Sequence, residues 1–177
     1  MLDTNIKKPN ALKVYLACIE DGLDNIGFRK FSAYIKALHP ETTIAYVPTG
    51  NMRGLLRILR EEGAGNLSEA DITKIGKFLA KADLVGLCSM TQYSDTVCEI
   101  ISAIRNFNPQ AYIVWGGIHP IIHPEDAIKY ADAICTGEGE FAFKSFLQLY
   151  NMAKIIQQLQ VFGFVKVVIL SRILIYH

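Results

Sequence analysis

Glycines end two consecutive apolar runs of this chain, where a bulky cofactor could come close to the backbone. Gly116 and Gly117 follow the run 112–115, and Gly137 follows the run 133–136. If these runs are parallel strands of an open sheet, their carboxyl ends share the edge where such sheets bind ligands. Glycine has no Cβ to obstruct that approach, although a glycine after a strand is often only a tight turn. The spacing predicts that these glycines form the floor of a cofactor-binding site.

Short hydroxyl side chains and a polar loop follow two further runs. Ser89 and Thr91 come after the run 83–88, and the loop that begins at Asp21 follows the run 11–19. Hydroxyl groups and bare backbone N–H groups are suited to a ligand that carries a ribose and a phosphate. The alternative is that both hydroxyls only cap the local turn.

Cysteines and carboxylates offer weaker chemical signals. The cysteines, at positions 18, 88, 98 and 135, form no CxxC pair and have no zinc-like spacing, so buried thiols in a reducing compartment are expected. Glu138 and Glu140 could act as paired acid–base carboxylates. They stand at the start of a predicted helix, however, and a capping role beside the positive end of its dipole is favoured.

Five apolar runs alternate with helical patterns along the chain. Alternation of this kind predicts an α/β fold, a doubly wound, flavodoxin- or Rossmann-like sheet of five parallel strands, with the flavodoxin strand order as the simplest arrangement. The predicted strands are 11–19, 42–47, 83–88, 112–115 and 133–136. Helices are predicted over 28–38, 51–61, 69–79, 95–108 and 140–150, with Ser68 and Ser94 as caps. The segment 118–120 is predicted as a loop, and a short helix is predicted to start near Pro124.

Composition and charge narrow the class of partner. Hydrophobic residues make up 51% of the chain and charged residues 20%, as in a globular protein, and the formal net charge is only +1. A nearly neutral chain gives no electrostatic reason to expect nucleic acid or an anionic membrane as partner, so a small molecule is expected. The polar segment 1–10 lacks the apolar core of a secretory signal, which favours a cytoplasmic location.

Two segments carry a specific resemblance. The segments 114–120, Val-Trp-Gly-Gly-Ile-His-Pro, and 132–140, Asp-Ala-Ile-Cys-Thr-Gly-Glu-Gly-Glu, together with the hydroxyls after the third strand, resemble the cobalamin-binding domain of cobalamin-dependent radical SAM enzymes. The resemblance covers about residues 11–150. It implies that the corrin ring lies across the carboxyl ends of the strands, with the nucleotide tail inserted along the sheet.

The resemblance also implies which residues contact the corrinoid. Ser89 and Thr91 would hydrogen-bond the tail, and Gly116 and Gly117 would leave room for it. The implied contact residues are Asp21, Gly22, Leu23, Gly27, Ser89, Met90, Thr91, Gly116, Gly117, Ile118, His119, Thr136, Gly137 and Glu138. No residue is expected to be catalytic in this chain.

One departure from the wider cobalamin-binding pattern is informative. Domains of the methionine synthase kind carry Asp-x-His-x-x-Gly after the first strand, with the histidine on cobalt, whereas the loop from Asp21 to Gly27 contains no histidine. Ligation of cobalt by a histidine of this loop is therefore not expected, and radical SAM relatives commonly lack this histidine too. His119 is the substitute candidate, chiefly as a hydrogen-bond donor to a side amide of the corrin; the alternative is an ordinary loop histidine.

The chain lacks the cysteine triplet of the radical SAM barrel. A CxxxCxxC triplet holds the iron–sulfur cluster that binds S-adenosylmethionine, and none of the four cysteines has that spacing. The chain by itself is therefore not expected to catalyse the radical reaction. Residues 151–177 also look atypical, and we interpret them as a frameshifted or truncated linker, with a natural amphipathic tail as the alternative.

Three functions remain open on the sequence. The favoured one is a domain that binds and positions cobalamin for methyl transfer or radical chemistry performed by a barrel in the same or another chain. The second is a stand-alone corrinoid carrier or sensor without catalytic activity. The third is an FMN- or nucleotide-binding module on the same fold; no Gly-x-Gly-x-x-Gly follows the first strand, which argues against a dinucleotide.

Overall fold

The computed structural model describes residues 11–20, 25–49 and 67–160, with side chains described as far as Ala153. These residues form a five-stranded, all-parallel sheet with the order β2-β1-β3-β4-β5. The strands are β1 (Val14–Ile19), β2 (Thr43–Val47), β3 (Leu84–Ser89), β4 (Tyr112–Gly116) and β5 (Ala133–Ile134). The flavodoxin order predicted from the alternation of strands and helices is confirmed.

Helices cover both faces of the sheet. They are α1 (Ile26–Leu38), α2 (Glu69–Leu79), α3 (Ser94–Phe107), α4 (Ile118–Ile122), α5 (Pro124–Ala127) and α6 (Gly139–Gln160). Buried residues of α2 and α3 pack on one face, and those of α1 and α6 pack on the other. In the part of the chain that the structure describes, no helix combines the length and apolarity needed to cross a membrane.

Each central strand is apolar because both of its faces are covered. Successive side chains of a strand point to opposite faces, so a strand between two helical layers needs apolar residues at every position. In β4, Ile113 and Trp115 join the core under α2 and α3, while Val114 joins the core under α1 and α6. The alternation decides which residues near the carboxyl ends face each helical layer.

Side-chain caps fix the start of two helices. The Ser68 hydroxyl accepts a hydrogen bond from the Asp71 N–H at 3.2 Å, which confirms the predicted cap of α2. The Asn25 side chain accepts from the Phe28 N–H at 2.7 Å and so caps α1. The predicted cap at Ser94 was wrong: α3 begins at Ser94 itself, because a short 3₁₀ turn leads directly into the helix and Tyr93 occupies the cap position.

The segment 118–120 was predicted as a loop, and this prediction was wrong. It forms the first part of α4, and Gly117 precedes the helix. Pro120 is the third residue of α4, where its missing N–H removes no hydrogen bond, since the first N–H groups of a helix have no intrahelical partner. Pro124 stands at the first position of α5, as predicted.

Helix α6 is longer than the sequence pattern indicated. It was predicted to end at Tyr150 and instead continues to Gln160, through the first part of the segment interpreted as a linker. Tyr150 holds it to the sheet: its ring lies 5.1 Å from that of Tyr112, and its hydroxyl donates to the Asp83 carbonyl at 3.4 Å. The rest of that segment, 161–177, and the predicted helix 51–61 lie outside the described residues.

Candidate functional site

A cavity of about 800 Å³ lies at the carboxyl edge of the sheet. Its floor is the face of β3 and β4 that α1 and α6 cover, at Gly86, Val114 and Gly116, and Phe28 and Phe143 stand on its two sides. We call this cavity the slot. A floor that is largely backbone and walls made of aromatic rings suit a flat, mostly apolar group.

The slot exists because small residues stand side by side on neighbouring strands. Cys18, Cys88 and Gly116 are successive partners across β1, β3 and β4. A Cβ built on Gly116 would lie 3.5 Å from the Cys135 Cβ, so Cys135 continues the row beyond β4. Larger side chains in this row would fill the space between the sheet and the two helices.

The two adjacent glycines at the end of β4 have different roles. A Cβ on Gly116 would meet only ordinary contacts, none closer than 3.5 Å, so its absence leaves open space in the slot. Gly117 has a φ of +94°, and a Cβ there would lie 2.6 Å from the Ser89 carbonyl oxygen. Gly116 therefore keeps the slot open, whereas Gly117 lets the chain turn directly against the end of β3.

Gly86 is a site residue that the sequence reasoning missed. It lies in the middle of β3 and lines the slot. A Cβ there would lie 2.7 Å from Leu16 Cδ2 and 3.5 Å from Phe143 Cε2. The signal was present, because an isolated glycine inside an apolar strand often marks a close approach by another group.

Half of the sequence-predicted contact residues do line the slot. Four belong to the ends of β3 and β4 and the start of α4, one to the first turn of α1, and two to the segment before α6. They are Met90, Gly116, Gly117 and Ile118, and Gly27, Gly137 and Glu138. Asp21, Gly22 and Leu23 lie outside the described residues. The remaining four are not among the lining residues: Ser89, Thr91, His119 and Thr136.

Ser89 points to the face opposite the slot. It is fully buried, and its hydroxyl accepts a hydrogen bond from the Trp115 indole N–H at 3.0 Å. Cys88, one residue earlier in β3, lines the slot instead. The strand alternation thus assigns Ser89 to the core and leaves a thiol at the position where the sequence reasoning placed a hydroxyl.

Replacing Ser89 with alanine is expected to lower stability and leave ligand binding unchanged. The variant Ser89→Ala leaves the buried indole N–H of Trp115 without its acceptor, which costs about 1–3 kcal/mol. Urea unfolding measures this loss. Ser102→Ala is the control, because its hydroxyl bonds the Cys98 carbonyl on an exposed helix surface. Weaker ligand binding with unchanged stability would instead place the Ser89 hydroxyl in the site.

His119 also lies on the Trp115 side of the sheet. It is 3% exposed, and its ring stacks on that of Trp115 with centroids 4.8 Å apart. Its Nε2 is 3.7 Å from Asp126 Oδ2, and neither ring nitrogen has a hydrogen-bond partner among the described residues. Burial, and then the neighbouring His123, lower the pKa of His119, so the ring is neutral near pH 7. A neutral stacked ring fits a packing role.

Charged and polar groups surround the mouth of the slot. Lys30 on α1 forms an ion pair of 3.2 Å with Glu140 in the first turn of α6. The Asn25 amide donates to Glu20 at 2.8 Å, while burial raises the pKa of the Glu20 carboxyl. The Glu138 carbonyl accepts from Ala142 N–H as α6 begins. The slot thus combines an apolar interior with a polar rim.

The sequence profile of the B12 binding domain matches residues 12–147, which contain the sheet and every described residue of the slot. The chain belongs to the B12-binding domain family. Membership in this family implies a corrinoid as the small-molecule ligand. It also agrees with the flavodoxin-like sheet described above.

Two further proteins are similar to parts of this B12-binding chain. A protein of Pyrococcus horikoshii named an uncharacterized methyltransferase is 29% identical over 94 residues, which are 51% of this chain and 20% of that protein. The chain thus spans about a fifth of this relative. The crystal structure of Plasmodium falciparum PdxK with AMP-PNP and PL aligns with a TM-score of 0.39 and 12% identity, over 70% of this chain and 50% of that one. The second likeness is too low to carry a structural argument.

The residues that line the slot of this B12-binding domain are chemically suited to a corrinoid tail. The missing Cβ of Gly116 leaves a space above the backbone, and the aromatic rings of Phe28 and Phe143 line an apolar interior. The nucleotide base of cobalamin is flat and largely apolar, whereas its ribose and phosphate are polar. An apolar interior between aromatic rings suits such a base. At the rim, Asn25 and Lys30 carry N–H donors suited to a ribose or a phosphate, and Glu20 carries an acceptor suited to ribose hydroxyls.

Proposed function

We propose that this chain is the cobalamin-holding domain of a cobalamin-dependent radical SAM enzyme. The observation that carries the proposal is the glycine-floored slot at the carboxyl edge of the sheet, inside the segment that matches the B12-binding family. The two motifs around Gly116 and Gly137 support the radical SAM assignment because they resemble motifs of cobalamin-dependent radical SAM enzymes. The methyltransferase name of the relative agrees with it.

In this proposal the domain binds and orients, and the reaction takes place with another domain. Gly116 and Gly86 leave the floor clear for the nucleotide base, and Phe28 and Phe143 exclude water from its faces. When bound, cobalamin supplies a cobalt centre that can carry a methyl group or stand beside a radical. The iron–sulfur cluster and S-adenosylmethionine would belong to a barrel domain outside this chain.

The rim of the slot has the surface that a corrin ring would cover. Met90, Ile118 and Ile121 line the cavity, yet they are 44%, 44% and 48% exposed. Large apolar side chains grouped at a cavity mouth are typical of a surface that a ligand or partner covers. We assign these three side chains to contact with the corrin.

Cobalamin binding is tested directly by spectroscopy. The purified chain is mixed with hydroxocobalamin, passed through gel filtration and scanned in the ultraviolet and visible range, with FMN in a parallel sample. We expect the corrin bands to travel with the protein and FMN to be lost. Retention of FMN with loss of the corrin bands would replace the proposal with a flavin-binding function.

The radical SAM assignment has a separate test. The DNA that encodes residues 151–177 and the region after it is translated in all three frames. We expect a one-base shift, or a neighbouring gene, to provide a barrel with a CxxxCxxC triplet. If neither does, the chain is better explained as a corrinoid carrier without a catalytic domain.

A further inference from the structure

Two thiols and a carboxylate lie together beside the slot. The Sγ atoms of Cys18 and Cys88 and a carboxylate oxygen of Glu20 are all within 4.8 Å of one another. The two cysteines are direct partners on the adjacent strands β1 and β3, and they point to the same face of the sheet. Glu20 follows β1 immediately and turns its carboxylate toward the thiols. The sheet register itself brings the three groups together.

The burial of these groups shows that they form a site with a closed back and an open front. Cys18 is 1% exposed and packs in the core beneath α1. Cys88 and Glu20 both line the slot. A ligand that contacted all three would rest on the buried thiol and face the cavity on its other side.

Apolar packing does not account for this arrangement. A half-buried carboxylate beside two thiols loses hydration, and burial raises the pKa of Glu20. The hydrogen bond with Cys88, and then burial, raise the pKa of Cys18. Three groups that can each offer one ligand atom are thus held within 4.8 Å of one another at a site partly withdrawn from water.

A neighbouring amide holds the carboxylate in position. The Asn25 side chain donates to Glu20 Oε1 at 2.8 Å, and the same residue caps α1 through its side-chain oxygen, which accepts from Phe28 N–H. Metal-binding carboxylates in proteins are commonly oriented by such a hydrogen bond. Because a helix cap fixes Asn25, the Glu20 carboxylate has a fixed direction before any ligand arrives.

We propose that Cys18, Cys88 and Glu20 bind a thiophilic divalent cation of the zinc class. Two thiolates and a carboxylate are common zinc ligands, and donor atoms around a tetrahedral zinc ion lie roughly 3.5 Å apart. Small side-chain rotations bring donors that lie within 4.8 Å to that spacing. Magnesium and calcium prefer oxygen ligands and bind thiolates poorly. The fourth coordination position faces the slot, as in zinc sites that keep an exchangeable ligand.

Cobalt(II) and zinc titrations of the reduced, metal-free chain test this site without any corrinoid. We expect cobalt(II) to give the intense near-ultraviolet bands of thiolate-to-cobalt charge transfer and the visible bands of a tetrahedral ion. Zinc should abolish both sets of bands. Because no corrinoid is present, the result is independent of the proposed function.

Variants of the two slot-facing ligands are the decisive comparison. Cys88→Ser and Glu20→Gln should each weaken zinc binding by at least about 10- to 100-fold, the loss that even outer-shell changes produce. Cys98→Ser and Glu99→Gln, on α3 at the opposite face, are the matched controls and should bind as the parent chain does. Circular dichroism checks the folding of every variant.

Two results would overturn the proposal. One is the absence of charge-transfer bands in the folded parent chain. The other is bands of equal strength in Cys88→Ser, which would place the cobalt on other thiols. In folded Cys18→Ala, removal of the buried thiol should abolish the bands as fully as the Cys88 change, and unchanged bands would also contradict the proposal.

Discussion

The variant Gly116→Val is expected to fold normally and to lose most of its affinity for hydroxocobalamin. A Cβ at position 116 meets no atom closer than 3.5 Å, so the strand accepts it, but the added methyl groups extend over the floor of the slot. Overpacking of a filled site costs about 1–3 kcal/mol, or roughly 5- to 150-fold in affinity. Spectrophotometric titration with hydroxocobalamin measures the effect.

A graded series and a distant control make this result specific. Gly116→Ala adds less volume and should give an intermediate loss of affinity. Thr73→Val, on the exposed surface of α2, adds a β-branched apolar residue away from the slot and should bind as the parent chain does. If Gly116→Val retains full affinity, the tail does not lie on this floor and the proposed binding mode is wrong.

The variant Gly117→Ala is expected to destabilise the whole domain. Its backbone has φ +94° and ψ −167°, a region that residues with a Cβ rarely adopt, and the strain alone costs about 1–3 kcal/mol. A Cβ there would also lie 2.6 Å from the Ser89 carbonyl oxygen and 2.9 Å from the Ser89 nitrogen, so β3 and β4 must separate. Urea unfolding followed by circular dichroism measures the combined loss.

The neighbouring glycine is the matched control for this stability effect. Gly116→Ala introduces the same methyl group one residue earlier, without a positive φ or a close contact, and such changes typically stabilise by about 0.4–1 kcal/mol. We therefore expect opposite effects on stability at adjacent positions: Gly116→Ala is at least as stable as the parent chain, whereas Gly117→Ala is less stable. Equal stability of the two variants would contradict the assigned roles.

The order of the sheet could be predicted because it depends on local signals. Each apolar run, such as 14–19 or 84–89, is followed by a helical pattern, and parallel strands joined by helices leave few arrangements. The cap at Ser68 could also be predicted, because the capping side chain and its N–H partner are only three residues apart. Features of this kind can be predicted from neighbouring residues alone, without knowing which distant residues are in contact.

The direction of single side chains could not be predicted in the same way. Ser89 was predicted as a contact residue because of its hydroxyl. Side chains alternate between the two faces along β3, however, so Ser89 points toward Trp115 and Cys88 points toward the slot. A shift of one residue in the pairing register of β3 would reverse this assignment. The choice between the two residues therefore required the register of β3 against its neighbours.

The other differences between the predicted and the observed site depend on interactions between segments that are distant in the sequence. The pairing of Cys18 with Cys88 joins residues 70 positions apart, and spacing rules for metal sites search much shorter intervals. His119 was considered for the corrin because it is two residues from Gly117. Helix α4 instead turns it back against Trp115, a direction that the loop prediction did not include.

Helix α6 has a mechanical consequence for the slot. With 22 residues it is a continuous rod of roughly 33 Å. Its first turn carries Glu140, which bridges to Lys30 above the cavity, and its middle is anchored to the sheet by Tyr150. Phe143, Phe146 and Leu147 of the same helix are buried against the sheet between these two points. The helix is therefore fixed to the sheet along its first half, and a ligand meets an entrance whose width is already set.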